Sequence, residues 1–361
     1  MQSHIKDVQE FLRIARDRYT FGLSVDAEDR QEAEFCNEFA ANLPRKGAGT
    51  SQWHESAAKA RIAASRPVET WNRLPIYVAQ VVNEGRQNKP AIKVAPMDGG
   101  TKETADFFQG RIRHIEYESD ADTARDMARE QQVTTGRGFV RVGTEYKPGS
   151  MDQSLTIDAI PNQFSVVWDP ASVKYDRSDA EWCFVVSRIS KEKHIRDYGP
   201  DSVVNSLDFA TNENPAPEWI GVGEGGELIQ IAEYWNKEFR DRTLCVFDNG
   251  AGQSQTAYDD ELPTPAPKIR GRRKEKCATV WQHVINGAEN LEETQWIDYD
   301  IPIVPYWGRE ATVEGRRRTF SLICNAISPQ RAVNLYVSNI LEQIAQMPKT
   351  PYKVPVGGIP A

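Results

Sequence analysis

The stretch Thr134-Thr135-Gly136-Arg137-Gly138-Phe139-Val140-Arg141-Val142 marks a change of rhythm in the chain. Upstream of Gly136 the apolar residues Ala105, Phe108, Ile112 and Ile115 recur at three- and four-residue steps, the spacing of one helical face. Downstream the apolar positions alternate, as on a strand. The sequence therefore divides into a helical first part and a strand-rich middle.

Working outward toward the N-terminus, Thr101 predicts an N-cap for a helix running to Gly136, with a second cap midway at Ser119-Asp120. Before it, 89–94 alternates like a short strand, closed by Pro96 and Gly99-Gly100. Residues 56–85 carry a helical pattern interrupted at Arg66-Pro67 and Leu74-Pro75, which predicts two or three pieces, because proline removes a helical hydrogen bond. Ile5, Val8, Leu12 and Ala15 predict a first helix. Asp26 reads as the N-cap of a second short one carrying Ala33 and Phe35 to Phe39.

Toward the C-terminus, 139–142 and 155–160 read as strands joined near Lys147-Pro148-Gly149. Residues 164–168 and 181–189 read as a further pair, and Ser190 as the cap of a short helix. Thr211 to Gly226 is a loop rich in Asn, Pro, Gly and Glu. A run of hairpins follows: 228–239 turning at Arg240-Asp241 into 243–247, a turn at Asp248-Asn249-Gly250, then 277–285 turning at Asn286-Gly287. Gly315-Arg316-Arg317-Arg318 reads as the opening of a helix, and Ser328-Pro329 as a fresh start that runs to Met347. The fold class is α+β: a helical N-terminal part, an antiparallel β-meander or hairpin middle, and a long C-terminal helix.

Composition narrows the function. The chain has 361 residues, 39% hydrophobic and 27% charged, and its 44 basic and 52 acidic residues give a net charge of −8. At ~150 residues per domain, about two domains are expected. An acidic surface gains no long-range attraction to nucleic-acid phosphates, which excludes tight nonspecific binding but not passage of DNA through a channel. No apolar run reaches the ~20 residues of a membrane span. Cys36, Cys183, Cys245, Cys277 and Cys324 are odd in number and widely spaced, so five reduced thiols and no zinc site are expected.

Catalytic motifs are missing. No Gly-Lys dipeptide supports a phosphate-binding P-loop, and neither H-E-x-x-H nor G-x-S-x-G occurs. His4, His54, His114, His194 and His283 are isolated. Asp259-Asp260-Glu261 is the densest carboxylate cluster, suited in principle to magnesium or acid–base work, but a solvated loop is the commoner fate of such a run. Asp176, Asp179 and Glu181 are read the same way. The basic run Lys268, Arg270, Arg272, Arg273, Lys274 and Lys276 could meet phosphate or an acidic partner, against the alternative of a solvated loop between strands. Adjacent Arg316, Arg317 and Arg318 would point about 100° apart on a helix, one toward a channel and two toward neighbouring subunits, or would simply line a helix start. Trp71, Trp168, Trp182, Trp235, Trp281, Trp296 and Trp307 are candidate core or interface aromatics.

Several segments read together resemble a family. These are 72–93, Thr134 to Val142, Ile160-Pro161 with Val167-Trp168-Asp169-Pro170, Asp176 and Asp179-Ala180, and 188–198. Ile231 to Trp235, Ile301 to Pro305 with Gly308, and Gln330, Asn334 and Ser338 follow in order. This succession resembles the portal (head-to-tail connector) proteins of short-tailed phages that infect enteric bacteria, over about residues 70–347. The resemblance implies a ring subunit, usually twelve-fold, at a unique capsid vertex, assembled in the host cytoplasm. It implies contacts with the major capsid and scaffolding proteins, the terminase large subunit and a tail adaptor, and double-stranded DNA passing through the channel. It implies no enzyme activity, no cofactor and no membrane partner. Residues 1–136 and 137–315 would be the helical and β-rich parts of a wing, 316–347 a stem-like helix, and 348–361 the truncated start of a clip-like segment. Three competing expectations are another head-completion or adaptor protein, a portal remnant that does not assemble, and a metal-dependent nuclease using Asp259, Asp260 and Glu261.

Overall fold

The computed structural model describes residues 5, 7–89, 92–97, 100–147, 149–199, 228–248, 254–262, 269–286 and 289–347. The expected loop 211–226, Asn249-Gly250, Gly287, Lys268 and the clip-like segment 348–361 lie outside these residues. The fold is mixed α+β, with seven helices and antiparallel sheets among the described residues. The chain divides into two units, Met1–Arg30 with His114–Ala124 and Phe139–Pro305, and Gln31–Arg113 with Arg125–Gly138 and Tyr306–Ala361.

The first helix, α1 (Val8–Ala41), is one 34-residue element and not the two expected. Asp26 does not cap a second helix. Its carboxylate pairs with Arg30 one turn further on, at 2.9 Å, so the charge that looked like a start signal stabilises the helix interior. In the first unit, Leu12, Ala15 and Tyr19 of α1 bury against Val167, Trp182, Phe184, Val186, Ala232, Tyr234 and Ile285. These last seven residues belong to a six-stranded sheet, where β5 (Val166–Trp168), β6 (Trp182–Ser190), β7 (Leu228–Asp248), β9 (Ile269–Ile285) and β10 (Asn290–Gln295) lie side by side. A sixth strand, β8 (Ser254–Tyr258), pairs with the far end of β7. Gly22 is required for the close approach of helix and sheet, since a Cβ there would sit 2.7 Å from Val167 Cγ1.

β7 runs 21 residues without a turn, roughly 70 Å at ~3.3 Å per residue. The expected turn at Arg240-Asp241 is absent: the strand continues through it in register with β9, Arg240 opposing Cys277, Asp241 opposing Lys276 and Arg242 opposing Glu275. The basic run is accordingly strand from Ile269 onward, and not a loop. A three-stranded sheet of β11 (Ile303–Trp307), β3 (Arg137–Tyr146) and β4 (Gln153–Ala159) has β3 and β4 antiparallel as expected. The capped helix α6 (Lys191–Tyr198) also appears as expected, with Ser190 accepting from the Lys193 amide.

In the second unit β1 (Pro44–Arg45) and β2 (Gly49–Thr50) pair and are followed by α2 (Glu55–Ala63) and α3 (Leu74–Gln87), while α4 (Lys102–Glu118) and α5 (Ala121–Thr135) each belong partly to both units. The four helices match the proline- and cap-derived breaks. Pro75 begins α3 and does not interrupt it. Asp120, at φ +49, separates α4 from α5. Residues 92–94 are irregular, not strand. Cys36, Phe39, Leu74, Val78, Val82, Val133 and Ile323 form the core. The helix-to-strand junction at 134–142 is set by its glycines. Gly136 ends α5 in the left-handed region at φ +80, and a Cβ on Gly138 would strike the Ala128 carbonyl.

Two further expectations fail at the C-terminal side. Residues 316–318 do not open a helix: β12 (Arg309–Val313) and β13 (Arg316–Phe320) form an antiparallel hairpin. Glu314 and Gly315, at φ +51 and +77, supply the two positive φ angles of a tight hairpin turn. The helix α7 (Leu322–Gln346) starts at Ser321, whose Oγ accepts from the Cys324 amide. It then continues through Ser328-Pro329 without a break. A mid-helix proline costs about 3 kcal/mol, which the tertiary contacts of the following turns offset.

Candidate functional site

α7 is 25 residues long, about 37 Å, and its two sides differ in kind. Gln330, Asn334 and Ser338 recur at four-residue steps and are buried. They face residues 69–73, an irregular segment between α2 and α3. Ser338 Oγ accepts from the Glu69 amide at 2.9 Å, and Asn334 Oδ1 from the Trp71 amide at 3.0 Å. Gln330 Oε1 accepts from the Arg73 amide at 3.4 Å, while its Nε2 donates to the Trp71 carbonyl at 2.7 Å. The match is geometric: four helical residues rise about 6.0 Å, and two residues of extended chain about 6.6 Å. Side chains on one helical row therefore meet alternate amides of a strand-like segment running the other way.

The row is also closed internally. Gln330 Nε2 donates to Asn334 Oδ1 at 2.9 Å, and Asn334 Nδ2 donates to Gln52 Oε1 at 3.2 Å. Gln52 in turn donates to the Phe39 carbonyl. Further along, Glu342 accepts from Arg66 at 2.9 Å and pairs with Arg61 at 3.3 Å, and Arg61 also donates to Asn339. The Arg66 hydrogen bond, opposed by burial and reinforced by both arginine charges, holds the Glu342 carboxyl below its usual range. In the sequence, Gln330, Asn334 and Ser338 stand out only through the family resemblance. The signal was there, three polar residues at i, i+4 and i+8 along one row of the helix.

The other side of α7 has no such partner among the described residues. Tyr336, Ile340, Ile344 and Met347 are 66%, 54%, 58% and 67% exposed. At 100° per residue they fall within an 80° stripe centred about 120° from the polar row. In the same unit, Ile76 and Tyr77 of α3 are exposed too, as is Trp71, a candidate core or interface aromatic. Trp168, Trp182, Trp235 and Trp307 are buried as expected.

The arginine cluster is distributed along the β12–β13 hairpin. Arg316 is exposed beside the turn. Arg317 pairs with Glu310 at 3.6 Å and Arg318 with Glu32 at 3.1 Å, so two of the three guanidinium groups are engaged inside the chain. Arg270, Arg272 and Arg273 are exposed on β9, Arg273 being paired with Glu275. Arg272, Lys274 and Lys276 occupy alternate positions and so share one face of the strand. Lys268 lies outside the described residues.

The carboxylates are occupied as well. Arg242 binds Asp260 at 2.6 Å and Glu261 at 2.8 Å and lies 3.8 Å over the Tyr258 ring. Asp179 accepts from Ser172 Oγ and from the Val173 and Lys174 amides, folding its loop onto itself. Burial alone would raise its pKa, but these hydrogen bonds outweigh it and hold the value at about 2. Among the described residues no group of three His, Cys, Asp or Glu side chains converges as metal ligands. No helix there is long and apolar enough to cross a membrane.

The chain is similar to a portal protein of Acyrthosiphon pisum secondary endosymbiont phage 1, with 27% identity over 290 residues. That match covers 76% of this chain and 39% of the relative, so the chain spans about two fifths of the length of the curated relative it matches. The profile of the family described as Phage P22-like portal protein matches residues 16–361. With nearly all of its length inside that match, the chain belongs to the P22-like phage portal protein family.

Proposed function

We propose that the chain is a structural subunit of a ring-shaped portal, probed most directly through α7. In this reading copies associate side by side around an opening through which double-stranded DNA is packaged and ejected. The observation that carries it is the two-sided character of α7: one side is bonded along its length to its own unit, while Tyr336, Ile340, Ile344 and Met347 are left for a neighbour. A helix held in place on one side and apolar on the other suits a repeated heterologous contact, the kind that closes into a ring under rotation.

In the same reading residues 1–136 and 137–315 form the wing, 316–347 the stem region and 348–361 the start of a clip. Twelve copies at one capsid vertex would contact capsid and scaffolding proteins, the terminase large subunit and a tail adaptor. Arg316, Arg270, Arg272, Arg273 and Lys268 are assigned to DNA or to neighbouring subunits, and Arg317 and Arg318 to the support of the hairpin that presents Arg316. No catalytic step is assigned to the chain.

Native mass spectrometry and negative-stain imaging of the purified chain test this. Closed rings are expected from the wild type, and single subunits from a Tyr336→Asp, Ile340→Asp double variant with an unchanged circular dichroism spectrum. A wild-type chain that stays at one subunit mass at micromolar concentration overturns the reading.

A further inference from the structure

The second unit brings two thiols into contact across a long stretch of sequence. Cys36 of α1 and Cys324 of α7 have their sulfurs 3.1 Å apart, close enough that one S–H donates to the other sulfur. Their surroundings are unequal. Cys36 is fully buried, whereas Cys324 is partly exposed. Cys324 stands in the first turn of α7, where unpaired amides favour negative charge, and its sulfur also lies 3.2 Å from Ser321 Oγ. The hydrogen bond from Cys36 lowers the Cys324 pKa, against the opposing effect of burial and with help from Ser321. Cys36 shifts upward, since its proton serves that bond and its site is buried. An accessible, acidified thiol backed by a buried one is the arrangement of a reactive cysteine with its resolving partner.

We propose that Cys324 and Cys36 are a modification site, a dithiol that low-molecular-weight disulfides convert to an internal disulfide tying α1 to the start of α7. The chemistry balances with oxidised glutathione as oxidant. The Cys324 thiolate attacks one glutathione sulfur, forming a mixed disulfide and releasing one glutathione thiolate. The Cys36 sulfur then attacks Cys324 Sγ and expels the second glutathione, which takes up the Cys36 proton. Two protein thiols are oxidised and one glutathione disulfide is reduced to two thiols. The sulfurs approach by about 1 Å to reach a bond of ~2.05 Å. The other three cysteines, Cys183, Cys245 and Cys277, are buried and serve as internal controls.

The test exposes the folded full chain to oxidised glutathione, removes it, and alkylates in denaturant before peptide mapping. The expected result is loss of two of the five thiols, with a single crosslinked peptide joining Cys36 and Cys324. Cys36→Ser should instead retain one glutathione on Cys324, and Cys324→Ser should lose no thiol. Five alkylated cysteines in the wild type, a stable glutathione adduct on wild-type Cys324, or a crosslink at other cysteines would each overturn the proposal. Urea melts of both serine variants matching the wild type confirm that the readout reports chemistry and not unfolding. The result is independent of ring formation, so either conclusion can fail alone.

Discussion

At the scale of single residues, side chains with no room to be anything else explain more than charged ones do. Asn334 makes three hydrogen bonds while wholly buried, so removing its amide strands Gln52 Oε1 away from water and takes the acceptor from the Trp71 amide. Each orphaned group costs about 1–3 kcal/mol. Asn334→Ala is therefore expected to lower the unfolding free energy by about 2 kcal/mol or more, read as a shift in the urea midpoint with unchanged slope. Gly138→Ala should cost about 3 kcal/mol by the same measurement, because its methyl group meets the Ala128 backbone, which cannot rotate aside. These two positions also show what a sequence hides. The change of rhythm at Gly136 was plain, but nothing local to Gly138 announces that the strand packs back against α5, the helix it has just left. Asn334 was visible as a motif residue and silent about its partner, which lies 263 positions away.

At the scale of elements, local signals succeeded where one short segment contains its own cause. Thr101, Ser190 and the α4–α5 break are examples: the capping hydroxyls lie three residues from the amides they bind. They failed where a distant partner rewrites the meaning of a residue. Arg240-Asp241 looked like a turn until β9 paired with it residue by residue, and Arg316 to Arg318 looked helical until β12 paired with them. The loop held by Asp179 gives a prediction at this scale. Its carboxyl is depressed in the folded chain, so the loop's hydrogen bonds are fully present above the ordinary Asp value near ~3.9 and are lost as pH falls through about 2. The Val173 and Lys174 amide resonances should titrate together with an apparent pKa of about 2, and Asp179→Asn should abolish that titration.

At the scale of the whole molecule, the proposed assembly needs a contact that holds copies together. The charge of −8 makes a general attraction between like surfaces unfavourable. The basic residues of β9 and the acidic loops offer one complementary pairing, and the apolar stripe of α7 another. Salt separates them. Between about 0.1 M and about 1 M the screening length falls from ~10 Å to ~3 Å, which weakens exposed ion pairs and leaves apolar burial intact. If α7 dominates, the assembled fraction should hold or rise across that range in sedimentation velocity, and an Arg272→Glu, Arg273→Glu variant should still assemble. A fraction that collapses with salt would transfer the contact to β9. Family membership was legible from ordered motifs alone. The stripe was not, because exposure depends on which side of α7 the 69–73 segment occupies.

That antiparallel pairing carries an evolutionary consequence. Three bonds are phased against one another along two backbones of nearly equal pitch, so a one-residue insertion or deletion between 69 and 73 would put the remaining side chains out of step at once. Relatives should thus vary freely in the length of exposed loops while keeping this interval constant. Where an indel does occur there, it should be accompanied by loss of the matching amide or hydroxyl on α7.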